Sequence, residues 1–154
     1  MARKSRKPNN KVELPKLKSS FIQAAAYIRL SLEDRAQKGS SIENQQRIIL
    51  NFIGEHPDFE LYDTYIDTGV SGTTFERPSF QRIMRDAEAG KISCIIVKDL
   101  SRLGRNVIDT GYYVEKLFPS LGIRLISIND NYDTDSDSGS IMMPIINLVK
   151  EMFF

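Results

Sequence analysis

Ile92-Ser93-Cys94-Ile95-Ile96-Val97-Lys98, running straight into Asp99-Leu100-Ser101-Arg102-Leu103-Gly104-Arg105, is the stretch on which the fold turns. Its first part is a short apolar run of strand type, residues 92–98, and its second is a polar loop that leads into a helix. The same alternation recurs on both sides of it. Upstream, residues 22–29 read as a first strand, and Ser41-Ile42-Glu43-Asn44-Gln45 opens a helix with Ile42, Ile48, Ile49, Phe52 and Ile53 roughly on one face. Residues 59–66 alternate as a second strand, and the glycines of Asp67-Thr68-Gly69-Val70-Ser71-Gly72 mark a loop. Pro78 suits the first position of a helix that runs to Ala89 and stops at Gly90. Downstream, Asn106 is placed to cap a helix reaching Leu121, and residues 123–128 read as a fourth strand. This order predicts an α/β fold, a mainly parallel sheet with helices on both faces. The segment 129–139, rich in Asp and Ser, reads as a loop.

In such sheets ligands bind at the carboxyl ends of the strands, where Ser31, Asp67 and the loop from Arg102 to Arg105 all fall. Arg29 and Ser31, at the end of Tyr27-Ile28-Arg29-Leu30-Ser31, are two apart and share a face of an extended strand. Arg77 precedes Pro78, which biases it to an extended conformation off a helix N-terminus, a place that attracts anions. Arg102 and Arg105 flank the start of the next helix, where basic residues oppose the helix dipole. Arginine carries a planar fork of donors and stays charged at any usable pH, which suits phosphate. A hydroxyl beside several such groups, with no histidine near, points to phosphoryl transfer through a covalent serine.

Composition narrows the class. With 154 residues, 41% hydrophobic and 27% charged, the chain has the length and balance of one ordinary soluble domain. Its one cysteine, Cys94, lies in an apolar strand and reads as a small buried hydrophobe, which excludes an internal disulfide and every multi-cysteine metal site. The one histidine, His56, stands before Pro57 at a helix end and reads as a solvated terminus residue. The net charge of +1 hides an asymmetry: residues 1–18 hold seven Lys/Arg against Glu13, so the remainder is acidic. A basic arm of this kind either embraces nucleic acid or only solubilises a terminus. An acidic body is a poor nonspecific DNA binder, so the grip on DNA falls to the arm or to sequence beyond residue 154. The run from Ser140 to Phe154 is apolar nearly all round but shorter than the ~20 residues of a membrane span. It reads as the start of a cut-off subunit-contact helix, or else as a helix packed on this sheet.

Five elements in order resemble the serine recombinases, the resolvases, invertases and large transposon and phage integrases: Tyr27-x-Arg29-x-Ser31, Ser41-Ile42-Glu43-x-Gln45, Asp67-x-Gly69-x-Ser71-Gly72, Arg77-Pro78, and Leu100-Ser101-Arg102-Leu103-Gly104-Arg105. Each alone is weak; five at domain-like spacing are specific, and they look most like the large recombinases of mobile elements. The resemblance covers residue 22 to the end and implies a basic arm (1–20), a catalytic domain (21–139) and the start of an interface helix (140–154), with further DNA-binding domains outside the chain. It implies cleavage of double-stranded DNA by a serine hydroxyl, a 5′-phosphoserine link, exchange within a tetramer built from homodimers, and religation, with no metal or nucleotide cofactor, by a cytoplasmic protein encoded by a bacterium, a phage or another mobile element. On that resemblance Ser31 is the nucleophile, Arg29, Arg102 and Arg105 hold the phosphate, and Gln45, Asp67 and Arg77 support them. The smaller members commonly carry aspartate before the first arginine of the last element. Here that position is Ser101, so Asp99 is a candidate replacement and the proton acceptor for Ser31 is unassigned.

Plainer readings stand beside these. Ser31 alone would be a turn residue, Gln45 a solvated helix residue, Asp67 a cap on the glycine-rich turn, Arg77 a surface residue, and Arg102 and Arg105 an exposed basic helix start. Two other functions fit the same kind of sheet. One is a metal-dependent nuclease or phosphatase using Asp63, Asp67 and Asp99 around Mg²⁺, although nearby arginines would repel the cation. The other is a receiver-like or nucleotide-binding module, which the lack of a G-x-x-x-x-G-K-[ST] loop weakens.

Overall fold

The computed structural model describes residues 20–31, 34, 41–69, 77–104 and 107–136. The expectations for the basic arm, Ser71, Gly72, Arg105, Asn106 and the terminal helix lie outside these residues.

The apolar runs build a five-stranded sheet in the order β2-β1-β3-β4-β5. The strands are β1 (Ile22–Leu30), β2 (Phe59–Thr68), β3 (Cys94–Val97), β4 (Arg124–Ser127) and β5 (Tyr132–Asp133). The first four are parallel to their neighbours, and β5 runs antiparallel on β4. Helix α1 (Ile42–Gly54) and helix α2 (Pro78–Glu88) follow β1 and β2. Ile49 of α1 clusters with Ala24, Ala26, Ile28, Cys94 and Ile96, while Phe80 and Ile83 of α2 cluster with Ala25, Tyr27, Tyr65, Ile95 and Val97. The alternating faces of β1 and β3 are thus shared between two apolar clusters, the arrangement that a parallel sheet covered by helices requires.

A bulge in β2 decides what its end can reach. Ala24 pairs with Leu61 but Ala25 pairs with Asp63, so Tyr62 is an extra residue. One extra residue flips every later side chain to the opposite face. Accordingly Phe59 belongs to the cluster around α1, whereas Tyr65 belongs to the cluster around α2. Asp67 follows Tyr65 in phase and therefore points toward α2.

The helix expected up to Leu121 is present without a break over residues 107–120, as α3 (Val107–Tyr112), a π turn (Tyr113–Leu117) and α4 (Phe118–Ser120). Pro119 has no N–H to return to the preceding turn, and its ring crowds the carbonyl four residues back, which a widened turn relieves. Part of the expected loop at 129–139 is ordered into β5: Tyr132 is buried, and Asp133 holds Arg124 through two bonds of 2.9 and 2.7 Å.

The sheet order has one reversal. From β1 the chain places β2 on one side and then β3 on the other, so the crevice at their carboxyl ends is the topological switch point. Ser31 follows β1 there, and Arg102 follows β3.

Candidate active site

The site begins where β3 leaves β1. Their pairing ends at Ala26 with Ile96, so the backbone of Arg29 loses its neighbour on that side. Gln45, in the first turns of α1, supplies one. Its side-chain Nε2 donates to the Arg29 carbonyl at 3.0 Å, and its Oε1 accepts from the Arg29 N–H at 3.4 Å. Gln45 is fully buried, so the reading as a solvated residue is excluded. α1 is fixed in turn by Ser41, whose hydroxyl accepts from Asn44 N–H at 3.0 Å as an N-cap.

After β3 the chain makes a 3-10 turn at Leu100–Arg102, capped by Asp99, which accepts from the Ser101 N–H at 3.1 Å. Two arginines from other elements clasp this turn. Arg29 donates through Nε to the Arg102 carbonyl at 3.2 Å and through Nη2 to the Ser101 carbonyl at 2.8 Å. Arg77 donates to the carbonyls of Arg102, at 3.1 Å, and Leu103. Arg77 is the N-cap of α2 in an extended conformation (φ −120°, ψ 131°), as its place before Pro78 predicts. It is fully buried, between the rings of Tyr27 and Phe80, and is not a surface residue. Its guanidinium serves the turn rather than an anion at the helix N-terminus. That terminus is already filled by Asp67, which accepts from the N–H groups of Ser79 (3.0 Å) and Phe80 (3.1 Å) and from the Tyr27 hydroxyl (2.9 Å). Asp67 thus caps α2.

Held in this way, Arg102 returns across the switch point. Its Nη1 donates to the Arg29 carbonyl at 2.7 Å, and its fork grips Asp34, Nη1 to Oδ2 at 3.0 Å and Nη2 to Oδ1 at 3.3 Å. Asp34 also receives the Ser31 hydroxyl and the Ser31 N–H, both at 2.9 Å. Ser31 and Arg102 are therefore joined through a carboxylate rather than directly, and Ser31 itself is 1% exposed. Asp34 is the residue that sequence reasoning missed. Asp99, the expected carboxylate, instead takes the hydroxyl of Ser101 and Nε of Arg102.

The charges are tuned by these contacts. Burial raises the Asp34 carboxyl, but the Ser31 N–H and then the bonds and charge of Arg102 outweigh it and hold it at about 2. Burial, with the charges of Arg102 and Arg77, lowers Arg29 to about 10. Burial likewise lowers Arg77.

Asp63, Asp67 and Asp99 do not gather. Asp63 faces Arg82, Asp67 caps α2 and Asp99 caps the 3-10 turn. Among the described residues no group of three or more His, Cys, Asp or Glu is placed to hold a metal ion. His56 stacks on Phe52 at the end of α1 remote from Gln45. A cavity of about 820 Å³ lies at the amino ends of the strands, among Ile22, Ser93 and Arg124, and touches none of the residues of the switch point. Among the described residues no helix is long and apolar enough to cross a membrane.

A mainly parallel α/β sheet with a serine and buried arginines at its switch point defines the class of domain. The family follows from comparison. Residues 24–153 match the model of the resolvase N-terminal domain, and the chain belongs to that family. It is 32% identical over 127 residues to a Bacillus subtilis (strain 168) protein described as "Putative DNA recombinase", a match covering 82% of this chain and 24% of that one. The chain thus spans about a quarter of the length of that relative. Its fold is similar to the N-terminal catalytic domain of TP901-1 integrase (35% identity, TM-score 0.71, 84% of this chain and 95% of that one). It is also similar to a resolvase family site-specific recombinase from Streptococcus pneumoniae (29% identity, TM-score 0.63, 85% and 87%).

Proposed function

We propose that this chain is the catalytic domain of a site-specific DNA recombinase that cuts and rejoins double-stranded DNA through Ser31. The oxygen of Ser31 attacks a backbone phosphorus; the new Ser31–phosphorus bond replaces the bond to the 3′-oxygen, which leaves as a 3′-hydroxyl. Attack by a 3′-hydroxyl on the phosphoserine reverses the exchange and frees the serine, so no bond energy is lost and no nucleotide is consumed.

The observation that carries this reading is the convergence of Ser31, Arg29 and Arg102 at one buried point of the switch crevice, two of them 73 residues apart in sequence yet bonded. Arg102 and Arg29 are assigned to the phosphate in flight, and Arg105, outside the described residues, joins them on the resemblance. A donor aimed at a developing oxyanion contributes about 10²–10³ in rate, so a few arginines can supply most of what a conventional acid–base pair would. Gln45, Arg77 and Asp67 act one step back. Gln45 fixes the backbone of Arg29, Arg77 fixes the turn that carries Arg102, and Asp67 fixes the helix that carries Arg77.

The wider assembly belongs to the same proposal. Residues 21–139 form the catalytic domain, 140–154 begin an interface helix, and homodimers pair into a tetramer that cuts two sites in the cytoplasm where its DNA lies. The test is incubation of the protein with nicked DNA carrying its recombination site, with and without EDTA. A protein–DNA adduct stable to denaturant, formed equally in EDTA and lost in Ser31→Ala, is expected. An adduct that survives Ser31→Ala, or cleavage abolished by EDTA, overturns the reading.

A further inference from the structure

Four groups converge on one oxygen of the pocket. Asp34 Oδ2 accepts from Ser31 N–H at 2.9 Å, from the Ser31 hydroxyl at 2.9 Å and from Arg102 Nη1 at 3.0 Å, and it faces Arg29 Nη1 at 3.9 Å. The second oxygen, Oδ1, takes the other arm of the Arg102 fork. This is the environment that a non-bridging phosphate oxygen needs beside a serine nucleophile, since the guanidinium fork fits carboxylate and phosphate alike. Arg29 Nη1 adds a second observation. It is buried and makes no hydrogen bond among the described residues, and at 3.9 Å its ion pair with Asp34 is too long for one. A buried donor left open costs stability unless something completes it. The carboxylate has only two oxygens, both committed to Arg102. A phosphate has a further oxygen to offer.

We propose that Asp34 is a positioning residue that occupies the place of the scissile phosphate in the DNA-free domain, holding Ser31 and Arg102 in register until DNA displaces it. The inference rests on the assignment of Ser31 and Arg102 to the reaction and adds to it how the pocket is kept when empty. The buried Ser31 then has a reason: its hydroxyl is sealed by the internal anion. When a phosphodiester enters, its oxygens take the fork of Arg102 and the open Nη1 of Arg29, and Asp34 withdraws with its negative charge. Two like charges cannot share one arginine fork at these distances without strong repulsion.

The consequence runs against a structural role. Asp34→Asn keeps the side-chain shape and removes the competing charge, so the pocket binds an oxyanion better, not worse. The experiment titrates the wild-type chain and Asp34→Asn with inorganic phosphate at low salt, read by heat or by the ¹⁵N shift of the arginine Nε groups. The expected result is at least about tenfold tighter binding by Asp34→Asn, abolished when Arg102→Met is added. Equal or weaker binding by a folded Asp34→Asn overturns the proposal. Should that variant fail to fold, wild type decides. Phosphate at saturation must shift the Asp34 carboxyl carbon signal, and bound phosphate that leaves it unmoved overturns the proposal as well. An adduct mapped to a residue other than Ser31 would sink the functional reading instead, without touching the phosphate result.

Discussion

Replacing Arg102 by methionine should change not only how stable the domain is but how its stability depends on pH. Arg102 is 3% exposed, and its fork is the only bidentate partner of Asp34 among the described residues. Removing one member of a buried ion pair typically costs about 3–5 kcal/mol, because the other charge is left uncompensated. The sign with pH is fixed by Asp34. In the wild type its carboxyl is held at about 2, below its ordinary value. A depressed carboxyl contributes stability that is present above its unfolded value of about 3.9 and lost as pH falls through the folded one, here on the order of 2 kcal/mol. Without Arg102 the burial that raises this carboxyl is opposed by the bonds from Ser31 and the more distant charge of Arg29, so its folded value rises toward the unfolded one. The stability that this carboxyl contributes at neutral pH then shrinks. Urea denaturation of wild type and Arg102→Met between pH 3 and 7 measures this. The gap should be about 3–5 kcal/mol at pH 7 and clearly smaller at pH 3. In the Arg102→Met background, adding Asp34→Asn should restore part of the loss at pH 7. A gap under 1 kcal/mol at pH 7, or one that does not shrink in acid, refutes the reasoning.

Further expectations follow from neighbouring contacts. Gln45→Ala removes the side-chain acceptor of the Arg29 N–H, and should cost about 1–3 kcal/mol in urea unfolding while slowing adduct formation, whereas Gln45→Glu should not restore the donor to the Arg29 carbonyl. Asp67→Ala uncaps α2 and strands the Tyr27 hydroxyl; about 1–3 kcal/mol of stability should go, visible as a lowered thermal midpoint by circular dichroism. Burial pushes the Cys94 thiol up to about 12, so a thiol reagent at pH 8 should label it only in denaturant; fast labelling of the native chain would contradict the packing of β3.

How much of this was legible in the sequence depends on whether the deciding contact is local. Strands and helices were, because apolar period and punctuation by Gly90, Gly122 and Pro78 are local properties. Ser31, Arg29 and Arg102 were singled out by type and position, and the switch crevice brings them together. Asp34 was not. In Leu32-Glu33-Asp34-Arg35 it looks like one more charge of a solvated turn, and only the fold brings in Arg102 from 68 residues away. Asp99 was the natural candidate for the missing carboxylate because it is near Arg102 in sequence, and it does bond Arg102, but the Ser31 hydroxyl goes to Asp34. The role of Arg77 was hidden for a related reason: its acceptors are backbone carbonyls, which sequence does not display. Asp67 reaches α2 only because Tyr62 is an extra residue in β2, a phase change that an alternating pattern conceals. β5 escaped notice because two residues carry no period, and its Asp/Ser-rich surroundings read as loop.

The central claim is that the oxygen of residue 31 becomes bonded to DNA. Peptide mapping of the trapped protein–DNA adduct by mass spectrometry tests it most directly. The account predicts a nucleotide remnant on the peptide carrying Ser31 and on no other; a remnant on Tyr27, Ser101 or any other hydroxyl contradicts it.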